Sequence, residues 1–382
     1  MNFYYLSEGK LFLAEDNSTQ KNIQSEAIAA YLRTVKDIRE RREWKSTGQG
    51  ARFMGAEVTY ENENEVYASI EALATSSRKI VYAISLENTS GIYSIDKEDE
   101  EFTENYILKK PDMRISHLAY SEETGTIIAS FGSGGIERHL AVCNENTATF
   151  NIITEGNSID ITPSFSKKNS NEILFSSAGF YVGEKKIVYG AYVINKLNTA
   201  TYNMEEILAD EKYDFLYPQQ EEDGTLYCIR RPKTTPEESN SITDIAMVPV
   251  RMAKAVFGWM NVFSQMYTGE SLLKKSGGNN PTKEKQKTEG ELFIEGNLIN
   301  VEKTLQENSL QDSDNPGVIP KNWELIAMEG NEPIKVIAKG VMSYCVNADG
   351  TVIYSDGRYI KYITNSKSIN PLQASFAKNI CE

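Results

Sequence analysis

Hydrophobic and polar positions alternate over short stretches through most of this chain, and the stretches end in glycine, asparagine, aspartate or serine. That rhythm predicts short strands joined by tight turns, because successive side chains of a strand point to opposite faces. The run Lys79-Ile80-Val81-Tyr82-Ala83-Ile84-Ser85 is the clearest. Between Arg114 and Thr154 the runs Ile115–Ser121, Thr126–Ser130, His139–Cys143 and Thr149–Thr154 follow one another. Glu122-Glu123-Thr124-Gly125 and the glycine-rich Gly132-Ser133-Gly134-Gly135 supply turns between them. Four short strands separated by turn chemistry make one blade of a β-propeller.

The plan returns at a spacing of roughly 45–50 residues, a period that points to propellers or arrays. In the next unit, Asp160–Ser166 is predicted as the first strand, Glu172–Ser177 as the second, Ile187–Ile194 as the third and Thr199–Ile207 as the fourth. The unit after it opens with Asp214–Pro218 and passes through the turn Asp223-Gly224 into Thr225–Ile229. Ser69–Leu108 fits the pattern upstream, and Ser343–Ser355, with Asp349-Gly350 as its turn, fits it near the C-terminus. Phe3–Ala14 reads as a hairpin turning at Glu8-Gly9, with the rhythm of Val352–Ile363. The two chain ends are expected to complete one blade together, which closes the ring and removes open sheet edges. The expected fold is an all-β propeller over 1–382; five to seven blades fit the spacing, and six is preferred.

The stretches Ile153-Thr154-Glu155-Gly156, Asp160-Ile161-Thr162-Pro163-Ser164-Phe165-Ser166 and Ile173-Leu174-Phe175-Ser176-Ser177 resemble the repeat of TolB-like (WD40-like) β-propellers. That repeat carries a threonine-glycine turn, an Asp-x-x-Pro-x-aromatic-Ser strand, an Asp-Gly turn and an apolar strand ending in serine. Asp223-Gly224 and Asp349-Gly350 match the Asp-Gly turn, whereas Lys168-Asn169-Ser170 departs from it. The resemblance covers Ser69–Ile229 and Val341–Ile363. It implies the fold, and since such repeats mostly mediate protein contacts it favours a binding role; one fold hosts many activities.

Two segments break the strand pattern. Ser25–Lys45 reads as a helix within a helical excursion over 15–48: Ser25 is placed to cap it, Ile28, Leu32, Val35 and Ile38 share one face, and Arg33, Lys36, Arg39, Arg41 and Arg42 make the other basic. The second break, 233–290, is an insertion within one blade. Pro249 stands at a helix start, and Val250–Tyr267 has helical periodicity. Met252, Val256, Trp259, Met260, Phe263, Met266 and Tyr267 fall on one broad face, and Arg251, Lys254, Gly258, Asn261 and Gln265 on the opposite one. A polar linker follows from Ser276 to Lys287, of a composition expected to be flexible.

Charge sharpens this picture. The chain has 382 residues and a formal net charge of -14, which disfavours nucleic acid as a partner. Val250–Thr288 holds seven basic and two acidic residues, a local +5 that leaves -19 for the remainder. A Trp/Met/Phe face with a basic flank can pack on its own propeller, fill a partner's groove, self-associate or lie on an anionic membrane surface. The N-terminus lacks the pattern of a secretory signal, and no apolar stretch reaches membrane-spanning length. Cys143, Cys228, Cys345 and Cys381 are widely spaced, as expected of free thiols in a reducing compartment. The expected location is therefore cytoplasmic, with membrane contact through 250–288 as the alternative.

No motif for nucleotide, metal or nucleophilic chemistry occurs, so no catalytic residue, cofactor or metal is assigned. His117 and His139 both fall in predicted strands and read as structural, and Asp96–Glu101 reads as a solvated acidic loop. The expected function is a non-enzymatic propeller that binds a protein or peptide, with the insertion helix as the interaction element. The alternative is a hydrolase or lyase acting on a sugar or peptide at the central channel through paired carboxylates.

Overall fold

Along Lys79–Leu86 nearly every side chain is apolar because both faces of the strand are covered. Ile80, Tyr82 and Ile84 enter one cluster with Tyr4, Leu6 and Leu11, while Val81 and Ala83 enter another with Ile115, Leu118 and Ile127. A sheet sandwiched between two neighbours reads as a continuous apolar run, which is the situation of every blade in a ring. The chain is described by a computed structural model, over residues 2–15, 19–46, 67–87, 89–183, 187–233, 291–294, 297–312, 314–330, 334–364 and 370–382.

Its strands form six antiparallel meanders. Blade 1 is β4 (Ala68–Thr75), β5 (Lys79–Leu86), β6 (Thr89–Asp96) and β7 (Glu104–Pro111); blade 2 is β8 (Arg114–Ser121), β9 (Thr126–Gly132), β10 (His139–Asn144) and β11 (Thr149–Ile152). Blade 3 is β12 (Ser158–Phe165), β13 (Glu172–Val182), β15 (Val193–Asn198) and β16 (Met204–Leu208), with β14 (Ile187–Tyr189) paired to the far end of β13. Blade 4 is β17 (Tyr213–Gln220), β18 (Leu226–Pro232), β21 (Glu324–Met328) and β22 (Lys335–Lys339). Blade 5 is β23 (Ser343–Val346), β24 (Val352–Ser355), β25 (Tyr359–Ile363) and β26 (Leu372–Gln373). The closing blade joins β27 (Lys378–Cys381) from the C-terminal side to β1 (Phe3–Ser7), β2 (Lys10–Glu15) and β3 (Thr19–Ile23), as the sequence predicts.

Each of the six seams between neighbouring blades has its own apolar cluster. Burial of one large apolar side chain in such a seam contributes about 1.5–3 kcal/mol. The turns are built as the repeat predicts: the side chains of Asp223 and Asp349 accept from the amides of Thr225 and Thr351, both at 2.8 Å. Where Lys168-Asn169-Ser170 replaces the Asp-Gly pair, the Asn169 side chain takes the same part, accepting from the Asn171 amide at 3.1 Å.

Three sequence expectations need correction. Ile187–Ile194 is not one strand: the Gly190 amide bonds back to the Gly179 carbonyl at 2.8 Å, so β14 prolongs a hairpin beyond the blade and the ring strand begins at Val193. Thr199–Ile207 also starts late, because the Asn198 side chain caps the amides of Ala200 and Thr201 and holds a turn until Met204. The excursion placed over 15–48 in fact contains the ring strand β3.

The helix itself, α1, runs Glu26–Ser46. The Ser25 hydroxyl accepts from the Ile28 amide at 3.3 Å, and the Glu104 carboxylate receives both the Ser25 hydroxyl and the Ala27 amide. A carboxylate at a helix N-terminus satisfies unpaired amides and meets the positive end of the dipole. Among the described side chains of α1, Ala27, Ile28 and Tyr31 pack against the cluster between the closing blade and blade 1. Leu32 and Ile38, on the same apolar face as Ile28, are 42% and 44% exposed because the helix leaves the ring after its first turns.

In a four-stranded meander the connections after the second and fourth strands emerge at one end. The connections through α1, β14 and the blade-4 insertion all leave from such positions, so their roots lie on one face of the ring. The insertion returns through a hairpin, β19 (Glu291–Ile294) and β20 (Asn297–Asn300), and a short helix, α2 (Val301–Ser309), which Asn300 caps by accepting from the Lys303 amide at 2.9 Å. Ile299, Ile319, Trp323 and Met342 then pack together with Phe376 against them, forming a cap beside blades 4 and 5.

Candidate functional site

The innermost strands β4, β8, β12, β17, β23 and β27 surround the axis. Five of the six are bulged: extra residues fall between Ile70 and Ala72, Ile115 and His117, Ile161 and Ser164, Leu216 and Gln219, and Lys378 and Cys381. A bulge breaks the alternation and re-aims a side chain. The bulge residues Thr162, Tyr217 and Asn379 have φ values of 52°, 56° and 52°, a left-handed backbone that costs about 1–3 kcal/mol and persists only where its surroundings hold it. Here Thr162 Oγ1 donates to Ser176 Oγ at 2.9 Å and accepts from the Tyr217 amide at 3.2 Å.

The result is a chain of polar contacts passing from blade to blade around the axis. His117 on β8 lies edge-on to Tyr217 on β17, ring centres 6.0 Å apart, although blade 3 stands between their strands. His117 Nδ1 is 3.0 Å from Ser116 Oγ. The Tyr344 hydroxyl of blade 5 donates to the Tyr217 carbonyl at 2.6 Å, and Ser343 Oγ donates to the Ala377 carbonyl at 2.8 Å. On the opposite side, Lys378 of the closing blade stands 3.4 Å from Glu71 of blade 1.

Glu71 is the centre of this second group. Burial alone would push its carboxyl up, but the Lys378 ammonium and the hydroxyls of Ser69 and Tyr67, both bonded to Oε1, hold it below the usual carboxylate range. Tyr67 moves the other way: burial and the Glu71 charge raise its phenol, which stays protonated as a donor. The Arg114 guanidinium lies over the Tyr67 ring at 5.8 Å. At the Glu8-Gly9 turn, whose Gly9 carbonyl accepts from the Ile70 amide, burial raises the Glu8 carboxyl against the opposing charge of Lys10.

Two buried carboxylates anchor the strands behind the axis. Asp160 accepts from Ser177 Oγ at 2.6 Å and Ser158 Oγ at 3.1 Å, with His139 Nδ1 4.0 Å away. Asp214 accepts from the Tyr192 amide at 3.0 Å and from Arg231 Nε at 3.3 Å. Arg231 is 1% exposed, reaches the Ile294 carbonyl at 3.2 Å and faces the Trp323 ring at 4.7 Å, so it ties blade 4 to the cap.

The residues singled out from sequence, Arg251, Met252, Lys254, Val256, Trp259, Met260, Phe263, Met266 and Tyr267, lie outside the described residues. The structure places the roots of their segment, Lys233 and Glu291, on the face that carries α1 and the cap. The axial group escaped the sequence reading because its members come from all six blades. One signal was present: Pro163 and Pro218 stand inside strand patterns, where proline marks a bulge. Among the described residues no cluster of three metal-ligating side chains occurs, and no helix is long and apolar enough to cross a membrane.

No protein-family model matches the chain, and no curated protein matches it. Among solved structures it is similar to TolB from Acinetobacter baumannii, at 9% identity and a TM-score of 0.49, over 99% of this chain and 65% of that one. It is similar to the structure of a nidogen/laminin complex at 7% identity and a TM-score of 0.48, over 100% and 98%. A third likeness, to the tricorn protease, has 11% identity and a TM-score of 0.46 over 97% and 34%. The chain spans just under two thirds of the TolB chain's own length. The six sheets of this chain make it a six-bladed propeller in their own right, in agreement with the TolB-like character of its repeat.

Proposed function

We propose that this propeller is a non-enzymatic binding protein that takes an extended protein or peptide segment at the axial mouth. The observation that carries the reading is the set of bulges in five of the six innermost strands, which turns polar and aromatic side chains toward one another around the axis. Glu71 is charged and already partnered through both oxygens, so it is suited to orienting a ligand. The TolB-like repeat supports a binding role by analogy. The insertion helix, with Trp259 and Phe263 on its apolar face, is proposed as a second contact element rooted on the same face.

A selection of extended peptides from a displayed library tests the axial reading. Peptides recovered on the native chain should lose binding to the Tyr217→Ala and His117→Ala variants while the melting temperature shows both still folded. Undiminished binding by both variants would overturn it. For the insertion, a Trp259→Asp/Phe263→Asp double variant should abolish association with any partner of that helix and leave the ring's melting unchanged.

One observation favours the alternative chemistry. Burial shifts the Glu8 carboxyl up, while against burial Lys378, Ser69 and Tyr67 hold the Glu71 carboxyl down, and two carboxyls of unlike acidity are what acid–base catalysis on a glycoside uses. Hydrolysis of p-nitrophenyl glycosides, lost in both Glu8→Gln and Glu71→Gln, would support that reading; no turnover across the sugars would remove it.

A further inference from the structure

Strand β13 outruns its blade. Glu172–Ser177 pair with β15, but Phe180, Tyr181 and Val182 pair with Tyr189, Val188 and Ile187 of β14, in a ribbon that projects beyond the ring strands. A two-stranded ribbon is marginal in water by itself and gains stability when another element covers it. Opposed residues of an antiparallel pair share a face. Tyr181 and Val188 therefore make one apolar pair, 70% and 51% exposed, and Val182 on the other face is 50% exposed. The root of this ribbon is tied to the place where the chain leaves blade 4. The Phe215 amide donates to the Tyr192 carbonyl at 2.9 Å, and the Tyr192 amide donates to Asp214 Oδ1 at 3.0 Å. Asp214 stands opposite Arg231 across β17 and β18, and just beyond it the Lys233 amide donates to the Lys212 carbonyl at 2.9 Å. The segment 234–290 leaves there and returns at Glu291, at the start of the strand whose Ile294 carbonyl accepts from Arg231. Both its ends are thus held at β18, beside the ribbon's root.

We propose that the apolar face of the sequence-predicted helix Val250–Tyr267 docks on the Tyr181–Val188 face of this ribbon. In the free chain the ribbon then shields Trp259, Met260 and Phe263, and a partner of that helix has to displace it. The length of chain allows this contact: Lys233 to Val250 reaches roughly 50 Å when extended, enough to carry the helix across the ribbon. Charge favours it as well, because Val250–Thr288 carries +5 and the remainder of the chain -19, which draws the basic flank onto the ring. Burying Tyr181 and Val188 against the Trp/Met/Phe face removes apolar surface from water on both sides of the contact. The inference rests on the reading of this helix as a contact element and adds what covers it when no partner is present.

Two reciprocal measurements on the full chain test it. In the Trp259→Asp/Phe263→Asp variant, the amides of Phe180–Val182 and Ile187–Tyr189 should exchange hydrogen about tenfold faster, because an uncovered ribbon opens more readily. In the Tyr181→Asp/Val188→Asp variant, trypsin should cleave after Arg251 and Lys254 about tenfold faster, because the helix has lost its dock. Tyr106→Asp, which alters an exposed ring on blade 1, should change neither readout. Unchanged melting temperatures confirm that the ring of each variant is folded. Indifference of either readout to its variant would overturn the docking and leave the helix standing as a contact for a partner. Ribbon protection that rises with protein concentration would place a second copy's helix there and overturn docking within one chain.

Discussion

Blades 3 and 4 carry the same device and use it differently. Each opens its innermost strand with a buried aspartate, Asp160 or Asp214, and each then has a left-handed bulge residue followed by proline, Thr162-Pro163 or Tyr217-Pro218. The cross-strand neighbour decides what the aspartate does. Opposite Asp160 is Ser177, and the carboxylate is satisfied by short hydroxyls inside its own blade. Opposite Asp214 is Arg231, whose longer side chain carries the charge out to the Ile294 carbonyl and the Trp323 ring. A single cross-strand position thus converts a local network into a tie that holds an insertion on the ring.

The comparison is broken most severely by Arg231→Met. It leaves the Asp214 carboxylate buried without its counter-charge, and a loss of about 3–5 kcal/mol in urea unfolding is expected. The double variant Asp214→Leu/Arg231→Met should recover most of that loss, because two apolar groups remove the uncompensated charge. Protection of the Glu291–Ser309 amides from hydrogen exchange should fall in both, since the tie to Ile294 is gone in each.

A smaller effect is expected from Asp160→Ala, about 2–3 kcal/mol, as two hydroxyl donors lose a charged acceptor. In that variant exchange protection of the cap should be unchanged, and a cap that loosened would show that blades 3 and 4 are not independent. Ser177→Ala removes one of the two bonds and should cost about 1–2 kcal/mol by the same unfolding measurement.

The smallest effect concerns Glu71, which is paired with lysine rather than arginine at the axis. Its carboxyl is held below 4.5, so the stability it contributes is present at neutral pH and is lost as pH falls below 4.5 through its folded-state value. Glu71→Gln should therefore be less stable than the native chain near pH 7, with the difference shrinking on acidification. A difference independent of pH between 7 and about 3 would show that the carboxylate charge is not what matters there.

Much of the ring was readable from local pattern. The apolar run at Lys79–Leu86 announces a strand covered on both faces, and Asp223-Gly224 and Asp349-Gly350 announce turns because an aspartate side chain can cap the amide two residues on. The N-terminal hairpin was legible from its rhythm and closure by both chain ends was expected of a propeller, whereas the closing strand Lys378–Cys381 was not read from the sequence, and Val352–Ile363 belongs to blade 5. Local pattern misplaced the third strand of blade 3, since Val188 and Tyr189 have strand character and only the Gly190 contact with Gly179 shows that they leave the blade.

The sequence by itself determined the strands, the turns and the blade period, because alternation and turn chemistry act between near neighbours in the chain. Only the tertiary structure decided the axial group: Tyr67, Arg114, His117, Tyr217 and Lys378 are far apart in sequence and meet because ring closure brings the first strand of every blade to one axis. It also decided the role of Arg231, which on a strand pattern reads as a solvent-facing residue and is buried because the insertion folds back over it. Burial of a charge depends on what else reaches the same place, and that is a property of the closed ring, not of any segment of it.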